Sequence, residues 1–167
     1  MDNQGEIIGK ITEFVESIGI RVSNGTIEEA TFLPGIQIDR GSIKIDLDKL
    51  KYPGDILHEA GHIAVTEKEI REAVSGNIKD ETGNNDLGGE IGVILWTYAA
   101  SSAIGLPLDV VFHAGGYKGS SSWFIENFES GNYIGLPVLV WMGMTLDPAT
   151  QDLPHKPFPH MTNWLRP

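Results

Sequence analysis

Apolar residues recur at helical spacing in three long stretches of the chain. Residues 5–18 place apolar side chains on one face and glutamates outside it, which predicts an amphipathic helix. A second helix is predicted to begin near Pro53, since proline suits a first turn, and to run to Val65. A third, almost wholly apolar helix opens at 87–90 and stops near Gly105. Three helices long enough to bury a shared core are therefore expected.

Between the first two helices the pattern changes from helical spacing to alternation. Residues 19–22 predict a short strand, and the Ser23–Gly25 segment that follows predicts a turn. Ile36 and Ile38 alternate with polar neighbours, and residues 42–47 alternate again. The predicted fold class is therefore α+β, with a small antiparallel sheet packed against a helical bundle.

The rest of the chain predicts shorter elements within one domain spanning residues 1–167. The polar segment 67–86 includes a possible short helix and an exposed loop, which is either a lid over a site or a plain mobile loop. A proline-rich tail covers 147–167 and is expected to lie extended across the body. Further helices are predicted at 108–114, 123–128 and 138–144.

Residues 91–108 carry no charge over about the length of a membrane span. They also contain hydroxyl side chains, two glycines and Pro107, so a buried helix explains them better. The N-terminus is polar and acidic, without the basic and apolar regions of a secretory signal. We therefore expect no membrane partner and a cytoplasmic location.

Charge and cysteine content restrict the chemistry. The formal net charge of −11 disfavours contact with a phosphate backbone, so nucleic acid is not an expected ligand. The chain has no cysteine, which excludes thiolate zinc sites, disulfides and a cysteine nucleophile. Any metal site must use histidine and carboxylate side chains.

The second predicted helix carries the pattern His-Glu-x-x-His, with His58, Glu59 and His62. Residues four apart on a helix lie on the same face about 6 Å apart along the axis, so the two imidazoles can share an ion. Zinc lowers the pKa of a bound water towards about 7, and Glu59 is the expected general base that takes its proton. The pattern predicts a catalytic zinc site.

Such a site needs a third protein ligand. Glu90 is the best candidate, because it opens a helix able to pack against the motif helix. The alternative is a first-turn glutamate that only complements the helix dipole. Glu126, Asp86 and His113 are reserve candidates.

The order of strand, His-Glu-x-x-His helix and glutamate helix resembles the minigluzincins, compact zinc metallopeptidases that include ImmA/IrrE-like proteins. The resemblance covers about residues 36–108, and only the His-Glu-x-x-His part is specific. It implies a zincin-like core and a gluzincin-type site, with His58, His62 and Glu90 as ligands and Glu59 as general base. It also implies that substrate lies along the strand at 42–47.

Several features depart from the family. Gly92 and Val93 replace an acidic residue and alanine often found after the glutamate ligand, and the loop before Glu90 is long and polar. Within residues 1–167 we also expect no DNA-binding helical module. A peptidase also needs a donor for the developing oxyanion. The sequence does not choose among five candidates, which are Tyr98, His113, Tyr117, His155 and His160.

The expected function is zinc-dependent hydrolysis of a peptide or protein substrate, with Zn²⁺ as the cofactor. Two alternatives stay open: a zinc-binding regulatory or protein-interaction module with little or no catalysis, and a structural protein without metal. The sequence does not specify the cleavage preference or the oligomeric state.

Overall fold

The computed structural model describes residues 3–76, 87–149 and 156–167. The helices are α1 Asn3–Ser17, α2 Gly54–Val65, α3 Leu87–Ile104, α4 Leu108–Val111, α5 Ser121–Glu129 and α6 Leu136–Trp141. The strands are β1 Val22–Asn24, β2 Ile36–Asp39 and β3 Ser42–Ile45. Two short 3-10 turns cover Arg71–Ala73 and Tyr117–Gly119. The α+β class is confirmed; the predicted loop at 79–86 lies outside the described residues.

The sheet is mixed, so the expectation of a purely antiparallel sheet is wrong. Its strand order is β1-β3-β2; β2 pairs antiparallel with β3, whereas β1 pairs parallel with it. Between β1 and β2 the chain crosses to the far side of β3, and the hairpin then brings β3 back between them. Alternation in a sequence shows which residues share a face, but not the direction in which a neighbouring strand runs.

A two-residue turn at Arg40 and Gly41 joins β2 to β3. Both residues have positive φ, at 47° and 68°. Such primed turns match the twist of antiparallel strands. Because this turn is tight, β2 and β3 pair in register, with Ile36 opposite Ile45 and Ile38 opposite Ile43.

Tertiary pairing moved some element boundaries away from the predictions. The first strand covers 22–24, where Ser23 and Asn24 had predicted a turn, because Val22 pairs with Ile43. Strand preference depends on neighbours more than on residue type. The helix predicted at 108–114 ends at Val111, and that predicted within 67–74 is only the turn Arg71–Ala73.

Helix α2 lies at the centre of the fold. One face of the sheet packs on it through buried isoleucines, which are Ile36, Ile38, Ile43 and Ile45. Ten of the twelve residues of α2 are buried. Charged and polar side chains on this helix, including Asp55 and His58, are therefore held inside the molecule and need partners there.

Helix α3 is apolar all round because it is enclosed by other helices. It contacts α1, α2, α4 and α6, and residues 92–101 of it are buried. None of the described helices combines the length and apolar character that crossing a bilayer requires. The uncharged run at 91–108 thus forms a core helix.

The C-terminal residues 156–167 pack on the body beside α2. The backbone N–H of Arg166 donates to the carbonyl of Ala64 at 2.8 Å. The indole N–H of Trp96 donates to the carbonyl of Trp164 at 3.0 Å, and Trp164 meets Phe14 edge-on at 4.9 Å. These contacts connect the tail to α1, α2 and α3.

Candidate metal centre

Helix α2 presents His58 and His62 on one face, one turn apart. Their Nε2 atoms are 3.2 Å apart, and their ring centroids are separated by 4.9 Å at an interplanar angle of 81°. His58 is buried and His62 is half-buried. The two imidazoles therefore converge on one point, as the helical spacing predicts.

Helix α3 brings Glu90 to the same point. One carboxylate oxygen lies 3.5 Å from Nε2 of His58, and the other lies 3.4 Å from Nε2 of His62. The approach of the two helices depends on Gly61, where a Cβ atom would meet Val93 at 3.0 Å and Trp96 at 3.1 Å. A larger residue at 61 would separate Glu90 from the histidines.

The spacing of the three side chains suits a shared ion. Ligand atoms about 2.0–2.1 Å from a tetrahedral zinc lie about 3.3–3.4 Å from one another. The two histidine nitrogens are 3.2 Å apart, and they lie 3.5 and 3.4 Å from different oxygens of Glu90, all close to that value. The group His58, His62 and Glu90 could therefore hold a metal ion. Several divalent metals bind to two imidazoles and a carboxylate, so the geometry does not identify the metal.

Glu59 lies beside this group rather than in it. It is half-buried and lines a cavity of about 160 Å³ together with His58 and His62. The opposite walls are residues 29–33 and the β2 residues 36–38. A carboxylate in this position can reach a molecule that enters the cavity next to an ion.

Tyr117 contacts the metal centre from the side of His58 away from Glu90. Its hydroxyl lies 3.2 Å from Nδ1 of His58. Burial of this phenol, and to a smaller extent the nearby carboxylates of Asp55, Glu90 and Glu59, raise the pKa of Tyr117 well above its ordinary value. The phenol therefore stays neutral. The sequence offered Tyr117 only as one of five oxyanion donors, and no sequence signal indicated its contact with His58.

The reserve ligands have different positions. His113 contacts Asp55 instead, with Nε2 within hydrogen-bond distance of Oδ1 at 2.8 Å. Glu126 is exposed on α5. Asp86 lies outside the described residues. Among the described residues, the metal-holding group contains only Glu90 of the four candidates.

The other oxyanion candidates also lie apart from the group. Tyr98 is buried, and its hydroxyl donates to the carbonyl of Phe128 at 3.5 Å. His160 is exposed in the C-terminal segment, and His155 lies outside the described residues.

The strand expected to bind substrate is not the one beside the site. β3 is the central strand and pairs on both sides, so neither of its edges can accept another strand. β2 is an edge strand and lines the cavity next to His58 and His62. The strand pattern at 42–47 could not reveal this, because edge position is a property of the whole sheet.

Comparison of the chain with protein-family models, with curated proteins and with solved structures finds no match. The resemblance to minigluzincins therefore rests on the quoted residues and on the grouping of His58, His62 and Glu90.

Proposed function

We propose that the protein is a zinc-dependent hydrolase that cleaves peptide bonds. The observation that carries the proposal is the convergence of donor atoms from His58, His62 and Glu90, with Glu59 beside the two histidines in the cavity. A structural zinc site uses four protein ligands, whereas a catalytic site uses three and keeps one position open. Three donors next to a cavity support the catalytic kind.

The proposed chemistry divides between the ion and the chain. A bound zinc ion would supply Lewis acidity to a carbonyl oxygen and acidity to a water molecule. His58, His62 and Glu90 hold the ion. Glu59 accepts a proton from the attacking water and passes it to the leaving amine. Because Glu59 follows His58 directly in α2, the position of the base is set by the same helix that supplies two ligands.

The cavity supports a peptide as substrate. Its far wall includes the edge strand β2, and an extended chain can add to an edge strand. The N–H of Ile36 and the carbonyl of Ile38 already bond Leu33 and Gly76, so a peptide would pair with β2 outside these two groups. Leu33 is a further apolar residue of the same wall. An extended peptide would place its backbone along β2 and an apolar side chain against this wall, with its scissile bond towards His58 and His62.

The substitution Glu59→Gln tests the proposal. It removes the proton acceptor and leaves the metal ligands, so peptide hydrolysis should fall by about 10²–10⁴-fold while zinc content is unchanged. Hydrolysis is measured with a mixed peptide library and mass spectrometry, and zinc by elemental analysis. Glu126→Gln makes the same chemical change on the exposed face of α5 and should leave both quantities unaltered.

Two results would contradict the enzyme proposal. One is a zinc-loaded wild-type protein that leaves every peptide intact. The other is a Glu59→Gln protein that hydrolyses as fast as the wild type. A biological activity that survives this substitution would instead favour a zinc-binding interaction module.

A further inference from the structure

The segment between α4 and α5 approaches the back of the metal centre. Its Tyr117 places a hydroxyl 3.2 Å from Nδ1 of His58, and the two rings meet edge-on at a centroid distance of 5.6 Å. The tyrosine ring also packs on Phe112 at 5.1 Å and on Phe124 at 5.7 Å. The phenol is therefore held by apolar neighbours with its one polar atom at the imidazole.

The backbone at this point is in an unfavourable conformation. Tyr117 and the following Lys118 both have φ of 53°, a left-handed region that bulky residues rarely adopt. Such strain persists only where surrounding structure fixes it, and it is concentrated at functional sites. The turn is held by the N–H of Ser120, which donates to the carbonyl of Tyr117 at 3.0 Å.

A contact between a histidine and a carboxylate holds this segment against α2. Asp55, one turn before His58, accepts a hydrogen bond of 2.8 Å from His113. The His113 ring stacks on Tyr52 at 3.8 Å with an interplanar angle of 15°. The carbonyl of His113 accepts from Ser121 Oγ at 2.7 Å and from the N–H of Gly116 at 3.0 Å.

Two glycines allow the chain to follow these rings closely. A Cβ atom at Gly115 would lie 2.5 Å from the hydroxyl of Tyr52, and one at Gly116 would lie 3.1 Å from the His113 ring. The close approach places Tyr117 against His58 rather than in solvent. Gly115 and Gly116 are thus packed closely against the two rings.

We propose that Tyr117 is a positioning residue of the metal centre and that the Asp55–His113 pair holds it in place. A histidine that binds a metal through Nε2 carries its proton on Nδ1, and this N–H needs an acceptor because His58 is buried. The hydroxyl of Tyr117 is that acceptor. The hydrogen bond orients the ring so that Nε2 faces His62 and Glu90. This inference rests on the metal-binding part of the proposed function and does not require peptidase activity.

The substitution Tyr117→Phe tests the role, since it removes the hydroxyl and keeps the ring. Loss of a partner to a metal-bound histidine lowers metal affinity by about 10–100-fold. Zinc affinity is measured by competition with a chromophoric chelator, and the visible spectrum of the cobalt-substituted protein reports the geometry at the ion. Tyr133→Phe is the matched control, because Tyr133 is also half-buried and packs on Phe158 rather than on the metal ligands.

The role of the Asp55–His113 pair is tested by combining variants. If His113 acts through Tyr117, His113→Asn should lower the zinc affinity. The double variant of His113→Asn and Tyr117→Phe should then have the same zinc affinity as the single variant that binds zinc less tightly. Fully additive losses would show that the pair does not act through the tyrosine, and would overturn that part of the proposal.

The outcomes separate this inference from the enzyme proposal. Wild-type zinc affinity and an unchanged cobalt spectrum in Tyr117→Phe would overturn the positioning role, whatever the activity. An equal loss of affinity in Tyr133→Phe would do the same. A tenfold or larger loss in Tyr117→Phe alone, in a protein that cleaves no peptide, would support the positioning role and reject the peptidase. A wild-type protein that binds neither zinc nor cobalt would overturn both.

Discussion

Helix α2 contributes to two groups of histidine and carboxylate side chains, and their spacing differs. Asp55 and His113 contact each other at 2.8 Å, the length of a charge-assisted hydrogen bond. His58, His62 and Glu90 lie 3.2–3.5 Å apart, which is longer than the Asp55–His113 contact. The first group is closed by one short direct contact, whereas the second has the spacing of ligands around an ion.

This difference shows that residue types alone do not identify a metal site. Both groups are largely buried, and both combine imidazole with carboxylate. What separates them is whether the donor atoms point at each other or at a shared point. A buried polar group is destabilising unless it has a partner, and these are two ways to supply one.

The largest effect is expected from removing a ligand. His62→Ala should abolish stoichiometric zinc binding, because two donors remain where a catalytic site needs three. His113→Asn should still bind about one zinc ion per chain when zinc is saturating, since His113 is no ligand. Elemental analysis after gel filtration measures both. An equal loss of zinc in the two variants would contradict the conclusion that only the group of His58, His62 and Glu90 binds the ion.

A large effect on stability is expected from Asp55→Ala. It leaves the half-buried His113 without its hydrogen-bond partner, and an unsatisfied partner of this kind costs up to about 3 kcal/mol. The His113 ring has no second hydrogen bond to compensate for this loss, since its Nδ1 is buried without a hydrogen-bond partner among the described residues. Urea unfolding of the zinc-free protein measures the loss. Asp109→Ala, on the exposed face of α4, is the control and should change stability little.

A smaller effect is expected from Gly61→Ala, which tests the contact between α2 and α3. The added methyl would lie 3.0 Å from Val93 and 3.1 Å from Trp96, so these side chains must move and overpacking should cost about 1–3 kcal/mol. Because α3 carries Glu90, zinc affinity should fall as well. Gly9→Ala in α1 has open space and should stabilise the protein by about 0.5–1 kcal/mol. A stabilised Gly61→Ala protein with normal zinc affinity would refute the close-contact explanation.

The smallest effect is the pH dependence contributed by Asp46, a carboxylate that belongs to neither group. The N–H groups of Ile27 and Asp48 donate to it at 3.0 and 3.2 Å, and the first of these bonds is the main cause that lowers the pKa of Asp46 below 3.8. The unfolded chain then binds the proton more readily, so the stabilisation is present above pH 3.8 and is lost as pH falls through the lowered pKa.

Asp46→Asn should therefore flatten the acid limb of the stability curve, measured by urea unfolding at several pH values below 4.5. The pH dependence of stability contributed by Asp55 should have the opposite sign, because burial raises the pKa of Asp55 despite its contact with His113. Its contribution is fully present below pH 3.8 and is lost as pH rises through the raised pKa. A steeper acid limb in Asp46→Asn would reverse the assignment.

Local patterns predicted the helices and part of the site. The amphipathic spacing of residues 5–18 predicted α1 to within two residues at either end, since apolar periodicity depends only on near neighbours. The polar stretch at 67–74 predicted a helix that is largely absent.

The sequence by itself determined that His58 and His62 face the same way, because helix geometry fixes the relation between residues four apart. It also determined that Glu59 lies next to the first histidine. The tertiary structure alone decided that β3 is central, that Asp55 pairs with His113, and that the carboxylate of Glu90 and the hydroxyl of Tyr117 meet His58. These side-chain contacts join residues 32 to 59 positions apart in the chain, and only the packing of separate elements brings such residues together.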